Sequence, residues 1–165
     1  MGWTDVKLIL IVFVLLIAWN SAFGDDKTCL TENIYFEARS QGQAGWLAVA
    51  QVTQNRVDDK RFPNTICEVV KQGLTYASGD PIRNKCQFSW FCDGKSDKPK
   101  NTKVYNEIFE LVNYIYDVKG QPNYELLDIT DGATHYHADY VFPAWRKSKT
   151  KTVEIGDHIF YRWEK

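Results

Sequence analysis

The chain has 165 residues, a formal net charge of −1 and an apolar content of 44%. That balance excludes an electrostatic grip on nucleic acid, which needs a marked basic excess. The aromatic share is 15%, with 6 Trp and 9 Tyr, which suits an aromatic core and equally a cleft whose flat rings stack on sugars.

At the N-terminus, Lys7 precedes an apolar run from Leu8 to Trp19, followed by Asn20-Ser21-Ala22-Phe23-Gly24 and Asp25-Asp26. A basic residue, an apolar run and small residues before a polar start are the pattern of a secretory signal. The run is shorter than the roughly 20 residues that span a bilayer. Residues 1–24 are therefore expected to be a signal peptide, with an uncleaved inner-membrane anchor as the alternative. The segment would engage the export machinery or the membrane, placing the protein in the periplasm or outside the cell. Residues 25–165 are enough for one domain with a real core and too few for two. A monomer is the default at this size.

Cys29, Cys67, Cys86 and Cys92 all follow the signal. An even count in an exported chain reads as two disulfides, with three possible connectivities. The favoured pairs are Cys86–Cys92, closing a short aromatic loop, and Cys29–Cys67, tying the first helix to the third. No Cys-x-x-Cys pair supports a zinc site.

Asp25 to Arg39 reads as the first helix. Asp25 and Asp26 complement its dipole, Thr28 is a second candidate cap, and Gly42 and Gly45 make the turn after Ser40. A second helix from Ala44 to Val57 places Trp46, Val49, Ala50, Thr53 and Val57 on one core face. Pro63 breaks the chain, and Asn64 or Thr65 caps a third helix running through Gln72 and closed by Gly73. Thr75 to Lys100 reads as a long loop around Cys86-Gln87-Phe88-Ser89-Trp90-Phe91-Cys92, either a substrate-facing wall or a stapled mini-core. The fourth helix has Thr102 as its cap, a stripe of Val104, Ile108, Leu111, Val112 and Ile115, and Gly120 as its stop. A strand is expected within Ala133 to Val141. A β-hairpin follows, with Val153–Ile155 and His158–Trp163 joined at Gly156-Asp157. The fold class is α+β, mainly helical with a small antiparallel sheet toward the C-terminus.

One stretch organises the chemistry. Leu30, Ile34 and Ala38 repeat at helical spacing, and Glu37 projects from the edge of that apolar stripe. A carboxyl facing a core or a cleft is desolvated, its pKa rises, and it suits general-acid work. The plain alternative is a surface Glu or a buried acid paired with Arg39. His135 and His137 share a strand face and could bridge a metal, but they lack a clear third ligand. Ser89 has no nucleophile-elbow sequence, and a cysteine nucleophile conflicts with oxidised cysteines. As partner acids for a two-carboxylate glycosidase, Glu32, Glu68 and Asp93 have no special context. A single-acid mechanism is therefore to be taken seriously.

Five blocks in order carry a resemblance. They are Asn33 to Arg39; Leu47 to Val52 with Asn55-Arg56-Val57; Arg61 to Cys67; Cys86 to Trp90 with Cys92-Asp93-Gly94; and Gly132-Ala133-Thr134-His135-Tyr136-His137. Together they resemble SleB/CwlJ-type cell-wall hydrolases over roughly Cys29 to Tyr161. The resemblance implies a lysozyme-like catalytic domain that acts on peptidoglycan glycan strands with no cofactor and no metal. It implies a lytic transglycosylase with Glu37 as the catalytic acid, and Gln87, Phe88, Ser89, Tyr136 and His137 lining the cleft. One departure is Ser40-Gln41, where many relatives carry Gly-Glu. The rival readings are a hydrolytic muramidase, a metal-dependent amidase using His135 and His137, and a non-catalytic glycan-binding protein.

Overall fold

The computed structural model describes residues 26–118 and 128–164. The expected signal at residues 1–24, the cap at Asp25 and the stop at Gly120 lie outside the described residues. Among the described residues, no helix is long and apolar enough to cross a membrane.

Helix α1 occupies residues 26–38. Its stripe of Leu30, Ile34 and Ala38 is fully buried, as the spacing predicts. Burying each large aliphatic side chain of this kind contributes about 1.5–3 kcal/mol. Asp26 stands in the first turn of α1, where its charge complements the helix dipole, and its Oδ1 also accepts from the backbone N–H of Cys67, 3.1 Å away.

Helix α2, Gly42–Asp58, is longer than predicted and contains Gly45 inside it rather than in the turn. Gly42 alone takes a positive φ, +68°, at the reversal between α1 and α2. The predicted core face is buried from Trp46 to Thr53, but so are Ala48, Gln51, Val52, Gln54 and Arg56. The helix is central. One side packs with α1 and the other helices, while Ala48 and Val52 form a second cluster with Ala133 and Phe160 under the sheet.

Helix α3 is shorter than expected, Ile66–Val70. Thr65 caps it, its hydroxyl oxygen accepting from the N–H of Glu68 at 3.3 Å. Gly73 does not close this helix; it opens strand β1, Gly73–Thr75. The predicted long loop holds an antiparallel partner strand, β2, Pro81–Cys86, and a 3-10 turn at Ser89–Cys92. Gly73 lies against Cys86, where an added Cβ would stand 2.8 Å from its Sγ.

Helix α4, Thr102–Val118, buries Ile108, Val112 and Ile115 of its predicted stripe. Asn101 rather than Thr102 is its cap, with Oδ1 accepting from the N–H of Val104 at 3.2 Å. The C-terminal sheet has the order β3-β5-β4, all antiparallel. Its strands are β3 (His135–Ala138), β4 (Thr150–Ile155) and β5 (His158–Arg162). The predicted Gly156-Asp157 turn joins β4 to β5, with Gly156 at φ +57°. The α+β expectation therefore holds.

Polar side chains of α2 set the sheet against the helices. Gln51 Oε1 accepts from the N–H of Ile129, Asn55 Nδ2 donates to the carbonyl of Ala133, and Arg56 Nε donates to the carbonyl of Thr134. Asn33 does the same inside the helical half. Its Nδ2 donates to Thr53 Oγ1 at 3.1 Å, and its Oδ1 accepts from Trp90 Nε1 at 3.0 Å.

Both expected disulfides are present, Cys29–Cys67 and Cys86–Cys92, with sequence separations of 38 and 6. Loop-closure entropy then ranks them. Replacing Cys29 and Cys67 with Ala should cost about 4 kcal/mol and replacing Cys86 and Cys92 about 2 kcal/mol, read from urea unfolding. Asn33→Ala should cost a further class of loss, about 2–4 kcal/mol, because Trp90 Nε1 is left buried without an acceptor.

Candidate active site

Glu37 lies in the last turn of α1, on the side that meets a cleft of about 870 Å³. The cleft runs between α1, the Gln87–Trp90 segment, the stretch from Asp93 to Asn101 and strand β3. All six residues singled out in the sequence, Glu37, Gln87, Phe88, Ser89, Tyr136 and His137, border it. They do not contribute alike. Gln87 and Ser89 are exposed. Phe88 is 2% exposed and packs into the core, its ring 4.9 Å beneath the guanidinium of Arg56.

Tyr136 and His137 are neighbours on β3, so their side chains leave opposite faces. Tyr136 points to the acid and donates to Glu37 Oε2 at 2.8 Å. The His137 ring turns the other way, stacked on Tyr161 and near Trp145. Its Nδ1 lies 2.8 Å from the carbonyl of Ala138 and its Nε2 3.0 Å from the Tyr161 hydroxyl.

Burial pushes the Glu37 carboxyl above its ordinary value, and the Tyr136 hydrogen bond and the nearby Arg56 charge pull only partly back. Arg39, the ion partner that the local pattern allowed, is exposed and sits over the Tyr35 ring. Burial and the adjacent Glu37 hold the Tyr136 hydroxyl well above its usual range, so it stays a donor. Arg56 is buried, with Nη1 lacking a hydrogen-bond partner. Site reasoning from sequence missed it. The signal was present, since Arg56 follows Val49 and Thr53 at core spacing, an unusual place for a guanidinium.

Of the other acids considered, Glu32 and Glu68 do not border the cleft, whereas Asp93 does. Asp93 is engaged by the backbone N–H of Lys95 at 2.8 Å, which with the Lys95 ammonium holds its carboxyl below the usual range. Asp97 also borders the cleft, and burial followed by the charge of Asp93 raises its pKa. His135 and His137 share the β3 face as expected. His135 is held neutral, its pKa lowered to about 3 by burial and then by Arg56 and Lys149. Among the described residues, no group of three His, Cys, Asp or Glu is placed to hold a metal ion.

A profile of the cell wall hydrolase family matches residues 40–161, a span that begins just after Glu37. The chain is 25% identical over 137 residues to a spore cortex-lytic enzyme of Halalkalibacterium halodurans, covering 82% of this chain and 34% of that protein. It is 23% identical over 136 residues to the spore cortex-lytic enzyme of Bacillus subtilis, covering 82% of this chain and 37% of that one. The chain thus spans little more than a third of these relatives. Among solved structures, the fold is similar to the catalytic domain of the Bacillus cereus SleB protein, with a TM-score of 0.56, 24% identity and coverage of 84% and 91% of the two chains. It is also similar to the catalytic domain of the germination-specific lytic transglycosylase SleB from Bacillus anthracis, with a TM-score of 0.56, 25% identity and coverage of 83% and 93%.

The Tyr136 hydrogen bond favours the carboxylate form of Glu37. Tyr136→Phe should therefore raise the Glu37 pKa further, read as a carboxyl-carbon NMR titration displaced to higher pH. An unmoved or lowered titration would remove Tyr136 from the electrostatics of the acid.

Proposed function

The chain belongs to the cell wall hydrolase family, and we propose that it cleaves the β-1,4 bond between N-acetylmuramic acid and N-acetylglucosamine in peptidoglycan as a lytic transglycosylase. The observation that carries this reading is the Tyr136–Glu37 pair, a partly buried acid held by one neutral donor inside an open, aromatic-lined cleft.

The chemistry follows from the raised pKa. Protonated Glu37 gives its proton to the glycosidic oxygen as the C1–O bond of the muramoyl sugar breaks. The departing N-acetylglucosamine keeps that proton as its 4-hydroxyl. Glu37, now a carboxylate, takes the proton of the muramoyl 6-hydroxyl as that oxygen closes on C1. The product carries a 1,6-anhydro ring, no water is consumed, and Glu37 regains its starting state. Tyr136 orients the carboxyl through both steps, and the Arg56 guanidinium supplies positive potential. No cofactor enters this scheme. The substrate partner is the glycan strand, and we infer that residues 1–24 direct the export that such a substrate requires.

A hydrolytic muramidase is the second reading. Asp97 favours it, as a second carboxyl that borders the same cleft and is raised by burial.

Mass spectrometry of fragments from purified murein sacculi separates the two. Products lighter by one water at the muramoyl end, formed equally with EDTA, are expected. Reducing ends, lost in Asp97→Asn, would move the mechanism to hydrolysis, and free stem peptides lost with EDTA would move it to an amidase.

Glu37→Gln should lower the rate by roughly 10²–10⁴-fold while the fold survives. The stability sign is also set. The folded pKa of Glu37 is raised, so its contribution is fully present below the unfolded value near 4.5 and is lost as pH rises through the folded value. Glutamine does not ionise, so Glu37→Gln should gain in Tm relative to the parent from pH 4 to pH 7. A full-rate, folded Glu37→Gln protein would sink the assignment.

A further inference from the structure

Directly after β3, the chain exposes three consecutive apolar side chains. Tyr140 is 77% exposed, Val141 43% and Phe142 66%. Such a run on a surface costs solubility and calls for a functional reason. The segment is firmly mounted. The N–H of Asp139 donates to the carbonyl of Asp157 and that of Val141 to the carbonyl of Ala138, both at 2.9 Å. Pro143 then fixes the chain ahead of the 3-10 turn Ala144–Ser148. The Arg146 guanidinium lies 5.0 Å from the Phe142 ring centroid, bracing it from one side.

Its position gives the reason. Tyr140 and Val141 border the same cleft as Glu37. Tyr136, which holds the acid, lies on β3 just ahead of them. We propose that Tyr140, Val141 and Phe142 form an aromatic lip on which a sugar ring of the glycan strand stacks as it enters the cleft, so that the lip sets substrate grip. This rests on the glycan-strand reading above.

The alternatives fit less well. A self-association patch or a membrane-seeking surface needs a broad apolar face. This lip is flanked by the exposed Asp139 and Lys147, and the cleft that it borders is also lined by Arg39, Lys95 and Asp97. Alternation of polar groups with one flat aromatic edge matches a sugar, which offers C–H faces and hydroxyl rims together. The lip makes no contact with Glu37 among the interactions described, so its contribution falls on binding rather than on the chemical step.

The test uses the whole chain with Tyr140→Ala and Phe142→Ala together, in the active protein and in a Glu37→Gln background. Co-sedimentation of the Glu37→Gln protein with purified murein sacculi should weaken by at least about tenfold in the double variant. In the active protein, KM for sacculi should rise while kcat changes by less than about twofold. Tyr140→Trp and Phe142→Trp should keep the grip, and Tyr140→Leu and Phe142→Leu should lose it, since stacking needs a ring and mere apolarity does not. Unchanged sedimentation of the double variant, or full binding by the Leu variants, overturns the lip and leaves the glycan-strand reading standing. A parent protein that neither binds nor cleaves sacculi overturns both. Pelleting with phosphatidylglycerol vesicles that disappears in the double variant reassigns the lip to a membrane surface.

Discussion

The site depends on one buried amide. Asn33 is fully enclosed, and an enclosed amide is costly unless its hydrogen bonds are made. It meets that requirement by donating to Thr53 on α2 and accepting from Trp90 in the aromatic turn. A sliding or rotation of α1 against either neighbour would break one of these bonds. The amide therefore fixes three segments in a single register. Phe36, one turn further along α1, stacks on Trp90 with ring centroids 4.7 Å apart. Glu37 follows it, so the direction of the acid is set by Asn33 and Trp90 before any substrate arrives.

The second half of the site is placed by a separate set of bonds that converge on the first. Gln51, Asn55 and Arg56 leave α2 toward the segment before β3 and grip its backbone. That grip determines where Tyr136 stands, and Tyr136 meets Glu37. Three effects then compete at the carboxyl. Desolvation is the largest and raises the pKa; the hydroxyl and Arg56 lower it. Arg56 spends its Nε on the Thr134 carbonyl rather than on the acid. A bidentate ion pair with Glu37 would favour the carboxylate strongly. Without such a pair, the arginine tempers the upward shift and does not reverse it.

Much of this was legible in the sequence because the relevant signals are local. The cleft-facing position of Glu37 could be read from its place beside Leu30, Ile34 and Ala38, and α4 from its stripe. The hairpin at Gly156-Asp157 could be read from its turn chemistry, and the cysteine pairs from compartment and spacing. What escaped was non-local or lacked periodicity. Strand β2 is exposed along most of its length, so no alternation marked it, and the chain read as loop. The all-round burial of α2 arises from a sheet that comes much later in the chain. Its polar residues, Gln51, Asn55 and Arg56, look like a solvated face until the sheet is laid on them. The role of Asn101 as a cap was hidden behind Thr102, an equally good candidate by residue type. His137 belonged to a motif, but strand alternation sends its ring away from the acid that Tyr136 touches.

The departure at Gln41 has a physical explanation in the same terms. The side chain reaches the far hairpin turn, where Nε2 donates to Asp157 Oδ2 at 2.8 Å and Oε1 accepts from the Asp157 N–H at 2.9 Å. Only a carboxamide can do both, because a glutamate there would face the Asp157 carboxylate with no proton to offer. Gly156 makes room for it, since a Cβ at that position would collide with Gln41 Oε1. The acid expected from the resemblance is thus replaced by a clamp between the α1–α2 reversal and the β4–β5 turn. That clamp ties the reversal that follows Glu37 to the sheet carrying Tyr136, in addition to the bonds from α2. The single-acid mechanism proposed above needs no acid at this position, and the glutamine adds a tie between the two segments that carry Glu37 and Tyr136.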